Sequence, residues 1–137
     1  MGYFDITYRV PYADTDQMGV VYYANYLEYF ERGRTEMLRS AGFPYSELEK
    51  QGVILSVAEA HCRYLAPARY DDLLTIRCRV SEVKGVRIRI ESEVRRGEEV
   101  LVSGYVVLVS VNSDRKVIRI PEVMYKACEP FMDSSDC

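Results

Sequence analysis

The sequence contains no tryptophan, one histidine (His61) and five prolines in 137 residues. It also has no Cys-x-x-Cys pair, and a lone histidine cannot complete a His-rich zinc site, so a structural metal is excluded. Cys62 and Cys78 lie in apolar, strand-like stretches, while Cys128 and Cys137 fall near the C-terminus, Cys137 exposed at the very end. Free cysteines in such surroundings act as small buried hydrophobes, so a disulfide scaffold is excluded as well. No apolar run approaches the ~20 residues of a membrane span. The start, Met-Gly-Tyr-Phe-Asp, lacks the basic and apolar segments of a signal peptide. Eighteen basic residues against 21 acidic ones give a net charge of −3, without the basic excess of a nucleic-acid binder. No repeat, low-complexity block or linker divides the chain. What is present is 48% apolar and 12% aromatic, enough for a real core and incompatible with disorder. Residues 1–137 therefore read as one soluble, cytoplasmic domain.

Periodicity supplies the outline. Tyr3 to Tyr12 reads as a strand ending near Pro11, followed by an acidic, glycine-containing loop over 13–19. One long helix is predicted from Tyr26 to Ala41, with Asn25 as its cap, Glu28 closing a capping box and Gly42 as its stop. Its apolar arc is wide. Leu27, Phe30, Arg34, Leu38 and Ala41 form one stripe, and Tyr26, Tyr29, Gly33 and Met37 adjoin it, which suits a helix with sheet around much of its girth. A short helical turn over 45–51 precedes strands at 53–65, 73–83, 86–94 and 100–111, a short strand at 116–120, and a final turn or helix from Pro121. Hairpin-sized connections such as Lys84-Gly85 join them, so the fold class is α+β with an antiparallel sheet.

The densest polar and aromatic cluster runs from Tyr12 to Tyr26. It places Asp14, Asp16, Gly19 and a helix start within a dozen residues. Amides at a helix N-terminus are unpaired and favour negative charge, so they suit a carbonyl oxygen becoming an oxyanion. A neighbouring carboxylate can attack that carbonyl or activate water.

The run Tyr12-x-Asp14-Thr15-Asp16-x-x-Gly19-x-Val21-Tyr22-Tyr23-x-x-Tyr26, continuing through Glu31-Arg32-Gly33-Arg34-Thr35-Glu36, resembles the signature of the hotdog-fold acyl-CoA thioesterases. The resemblance is to the 4-hydroxybenzoyl-CoA thioesterase type and its YbgC-like branch. It extends to Tyr64-Leu65-Ala66-Pro67-Ala68-Arg69-Tyr70-Asp71-Asp72, and order and spacing agree over roughly residues 8–124. The resemblance implies a hotdog fold, in which a curved antiparallel sheet wraps the long helix. It implies hydrolysis of an acyl-CoA to a free acid and coenzyme A, with no metal and no cofactor, coenzyme A being part of the substrate. It places the catalytic carboxylate at Asp16, the carbonyl-polarising amide at Tyr23 and a structural role at Asp14. Active sites between two protomers are also implied, in a homodimer or homotetramer. Many YbgC-like members have histidine where this chain has Tyr23. A tyrosine, with a reference pKa near 10, cannot shuttle protons at neutral pH, so Asp16 must do more alone.

Gly19, Val21, Tyr22 and Tyr26 are the further substrate-binding candidates, and the helix aromatics Tyr29 and Phe30 read equally as core. Arg63, Lys84 and Arg87 are candidates for the coenzyme A phosphates, against a solvated sheet face as the plainer reading. Arg34 interrupts an apolar stripe and is expected to pair inside the fold. His61 lacks the spaced aspartate of a hydratase of this fold. A non-catalytic acyl-thioester binding or assembly module, and a hydrolase of acyl-carrier-protein thioesters, are the alternatives.

Overall fold

A computed structural model describes residues 2–132, and Cys137 lies outside them. Five strands form one antiparallel sheet: β1 (Phe4–Arg9), β2 (Ile54–Tyr64), β3 (Leu73–Lys84), β4 (Arg87–Arg96) and β5 (Glu99–Val111), in the order β1-β3-β4-β5-β2. Two-residue turns link β3 to β4 and β4 to β5, with Gly85 and Gly97 at positive φ as such turns require. Helices α1 (Asn25–Ser40), α2 (Tyr45–Lys50) and α3 (Glu122–Cys128) complete the α+β arrangement.

Strand alternation sorts the residues onto two faces. Leu74, Ile76, Cys78 and Val80 of β3, with Ile88, Ile90 and Val94 of β4, are buried. Their neighbours Arg77, Arg79, Arg89, Glu91 and Glu93 occupy the opposite face, where Arg77 pairs with Asp5 and Arg89 with Glu91. α1 lies on the apolar face and buries Tyr26, Tyr29, Phe30, Gly33, Arg34, Met37 and Leu38. Leu27 is the exception to the expected stripe, at 40% exposure.

Close approach explains Gly33 and Gly104. A Cβ on Gly33 would stand 2.5 Å from Cys78 Sγ and 2.9 Å from Ile76 Cγ2, so helix and sheet meet there without a side chain between them. A Cβ on Gly104 would collide with the His61 carbonyl oxygen and stand 2.9 Å from the Phe30 ring.

Two local expectations need correction. Asn25 is not the helix cap. Ala24 precedes the helix without a side-chain cap, the Asn25 amide group reaches back to the Asp14 carbonyl, and Glu28 pairs forward with Arg32. Residues 116–120 are not a strand, because Pro121 follows closely and only Val117 bridges to Val111. The buried thiols of Cys78 and Cys128 are both pushed up to about 11 by burial, as inert core cysteines.

Candidate active site

The loop between β1 and α1 is a small hairpin. Thr15 bridges Val21, Asp16 N–H donates to Val20 O at 2.9 Å, and Gly19 N–H donates to Asp16 O at 3.0 Å. Gly19 closes the turn at φ +78°, a conformation that L side chains rarely adopt. The Asp16 side chain is exposed at this tip, and its Oδ1 accepts the Met18 amide at 2.8 Å. That leaves the second carboxylate oxygen available to a neighbour.

Asp14 ties the hairpin to the fold. Its Oδ2 accepts the Tyr29 hydroxyl at 2.7 Å and the Tyr8 hydroxyl at 2.9 Å, linking α1 and β1 to one oxygen. Its carbonyl accepts the Tyr22 amide at 2.9 Å and Asn25 Nδ2 at 3.0 Å. Burial and the Asp14 carboxylate raise both tyrosine hydroxyls above their ordinary pKa, Tyr29 well above it. Both tyrosines therefore stay protonated and keep donating.

The same ties orient the helix start. The Tyr22, Asn25 and Tyr26 amides donate to Asp14, Tyr22 and Tyr23 carbonyls. No acceptor among the described residues takes the amides of Tyr23 and Ala24, so the loop delivers an acidic tip and two open amides together. Beside them lies an apolar cavity of about 290 Å³ lined by Val21, Tyr23, Tyr26, Tyr64, Leu65 and Pro67. Residues 64–72 brace it from the other side. Val21 N–H donates to Ala68 O, and Ala68 N–H donates to the Tyr26 hydroxyl at 3.0 Å. Asp72 holds this segment: burial alone would raise its carboxyl, but the Arg69 amide and the Arg96 guanidinium, at 2.8 Å each, hold it below the usual range.

Residues 10–128 match the thioesterase-like superfamily. The chain belongs to that superfamily. It is 45% identical to the acyl-CoA thioesterase YbgC of Haemophilus influenzae over 68% of this chain and 69% of that one. A putative esterase of Aquifex aeolicus is 40% identical over 55% of this chain, a stretch that takes in 59% of that protein. Among solved structures, a probable thioesterase from Bartonella henselae superposes with a TM-score of 0.83 at 40% identity, covering 87% of this chain and 99% of the other. The fold is the hotdog fold of these thioesterases.

On this thioesterase-like frame the candidates divide into two groups. Asp16 and Gly19 share the hairpin tip, Val21, Tyr23 and Tyr26 line the cavity, and the Tyr22 ring lies 4.8 Å from that of Tyr23. Arg63 does not join them. It lines a separate cavity on the outer sheet face with His61, whose ring stacks on Tyr105. Lys84 and Arg87 face each other across the β3–β4 turn, at the end of β3 opposite Leu73, and Arg87 pairs with Glu82. Twelve residues of β3 separate that turn from the Asp72 segment beside the hairpin. Sequence reasoning missed Tyr64, Leu65 and Pro67 as cavity lining. Their signal was an apolar strand end running into Pro67 within the second motif.

The tyrosine cluster also makes stability depend on alkaline pH. Unfolded tyrosines ionise near pH 10. Burial, above all, raises Tyr8, Tyr26 and Tyr29, and lifts Tyr64 to about 12, aided by Cys62. The folded chain then holds protons that the unfolded one releases. The stabilisation is complete below about pH 10 and is lost as pH rises through the folded values. Denaturant midpoints measured from neutral to alkaline pH should fall above about pH 10, and Tyr29→Phe should make that fall shallower.

Proposed function

We propose that this chain is an acyl-CoA thioesterase, hydrolysing an acyl-CoA with water to a carboxylic acid and free coenzyme A. What supports the reading is one loop that carries Asp16 at its braced tip and leads into the open amides of Tyr23 and Ala24, with Tyr23 lining an apolar cavity. In this reading the acyl group enters the cavity and the thioester carbonyl points at the amides. Asp16 takes the proton of an attacking water, and the tetrahedral oxyanion develops where two backbone donors and the helix dipole favour it. Collapse expels the coenzyme A thiolate, which takes up a proton. These steps use no cofactor and leave the Tyr23 side chain as pocket wall. An apolar lining without a fixed charge favours coenzyme A esters of uncharged acyl groups at this end of the site.

We also infer that the chain works as a homodimer. β2 is an edge strand, and Ile54, Val57 and Tyr64 on it are 44%, 52% and 48% exposed, an unprotected apolar edge of the kind that pairs with another strand. Sedimentation should give twice the chain mass, and Val57→Asp should shift it toward the chain mass.

Thiol release from short, medium, long and aromatic acyl-CoAs tests the activity, with wild type beside Asp16→Asn. Wild type should turn over at least one class. The nearly isosteric variant should lose about a hundred- to ten-thousand-fold in kcat, the worth of a general base, while its unfolding midpoint stays in place. Equal turnover by both proteins would remove Asp16 from the chemistry. Turnover of carrier-protein esters alone would favour the carrier-protein reading.

A further inference from the structure

The backbone pairing around Asp16 fixes which side chains share its side. Thr15 bridges Val21, and the Asp16 amide donates to the Val20 carbonyl at 2.9 Å, so Asp16 and Val20 stand opposite each other across the hairpin. Val20 in turn bridges Arg69, and Val21 N–H donates to Ala68 O at 2.9 Å, which lays residues 68–69 antiparallel beside the hairpin. Residues directly opposite in such pairings project to one side, and successive residues project to opposite sides. Val21 and Ala68 are 3% and 0% exposed, so their side faces the core. Asp16, half-buried Val20 and Arg69 therefore form a row on the other, outward side, where Asp16 and Arg69 are both exposed. Opposite Cβ atoms lie about 5 Å apart, which puts Arg69 about 10 Å from Asp16 before its long side chain extends.

Charge singles out Arg69 in this neighbourhood. Arg9 pairs with Asp71, and Arg96 pairs with Asp72 and Glu99. The Arg69 guanidinium has no such partner among the described residues and acts on Asp72 through its charge alone. Its backbone is nevertheless fixed: its amide donates to Asp72 Oδ2 at 2.8 Å, and its carbonyl accepts the Asp72 amide at 3.2 Å. A free guanidinium thus stands on a held backbone, in line with Asp16.

We propose that Arg69 binds the diphosphate of coenzyme A, with the pantetheine arm laid across Val20. In the thioesterase reading the reacting carbonyl stands beside Asp16 and the acyl group enters the cavity that Val21 lines. The rest of the substrate then leaves over the outward side of the hairpin. Extended, the pantetheine arm is equivalent to some four residues of chain and spans about 14 Å, the distance from Asp16 to the reach of Arg69. The planar guanidinium donates two N–H groups to phosphate oxygens, a match that a point charge does not make. This inference deepens the thioesterase reading of the Asp16 site and rests on it.

The test presents one acyl group, the one turned over best, on coenzyme A and on pantetheine, which lacks every phosphate. Wild type, Arg69→Ala and Arg69→Lys are compared. The bonds of Arg69 to its neighbours are made by its backbone, so the variants keep the fold. Arg69→Ala should raise KM for the coenzyme A ester about 10-fold, the effect of a charge-assisted hydrogen bond, while kcat holds. The pantetheine ester should keep its kcat/KM in all three proteins, and lysine should restore part of the preference for coenzyme A. An unchanged KM for the coenzyme A ester in Arg69→Ala, or equal losses on both esters, would overturn the proposal. Failure to hydrolyse any acyl-CoA would instead strike the thioesterase reading. Calorimetric titration with coenzyme A and with pantetheine then reads the phosphate site by itself. Tighter binding of coenzyme A that Arg69→Ala abolishes supports the site. No binding of coenzyme A, or a preference that survives the variant, rejects it.

Discussion

One carboxylate oxygen holds the candidate site of this protein together. Oδ2 of Asp14 takes hydroxyls from Tyr8 on β1 and Tyr29 on α1, while the Asp14 carbonyl takes the Tyr22 amide and Asn25. Without that junction the loop over 15–21 would be held only through its bonds to residues 68 and 69. With it, the aspartate at the tip and the first amides of α1 are fixed against the same two elements. A carboxylate accepting from two phenols in a half-buried setting keeps its hydrogen bonds strong, because competing water is scarce.

Packing makes the junction possible. Gly33 lets α1 settle on Cys78 and Ile76, and Gly104 lets β5 lie tight under Phe30 beside the His61 carbonyl. Closer approach carries the helix start toward β1, where Tyr8 and Tyr29 lie 5.0 Å apart between ring centres and can share one acceptor. Small residues at two points in the core thus set the position of a surface loop that carries Asp16.

Much of this was legible in the residues. Alternation in 73–94 marked the strands and the wide apolar arc marked α1, because both patterns come from burial, which the structure repeats. The Asp14–Asp16–Gly19 run also marked the loop. Less legible were contacts between residues distant in sequence. Nothing local says that Tyr29 reaches back to Asp14, that Asn25 serves Asp14 rather than capping its own helix, or that Tyr64 and Pro67 wall the cavity beside Tyr23. Charged residues were the hardest to place: Arg63 sits on the outer face and Lys84 and Arg87 at the β3–β4 turn, since a strand's alternation fixes its face but not its distance from the loop. Residues 116–120 carried an apolar pattern too short to hold a strand beside Pro121.

Asp14 is expected to affect turnover through the position of Asp16. A double-mutant cycle on kcat with Asp14→Asn and Asp16→Asn tests it most directly, with unfolding midpoints measured on all four proteins. Asp14→Asn alone should lower both kcat and stability. In the Asp16→Asn background it should lower stability by the same amount but cost a smaller factor in kcat, since only the open amides are then left to position. Losses in kcat that simply multiply would show the two aspartates acting independently, and would contradict the account.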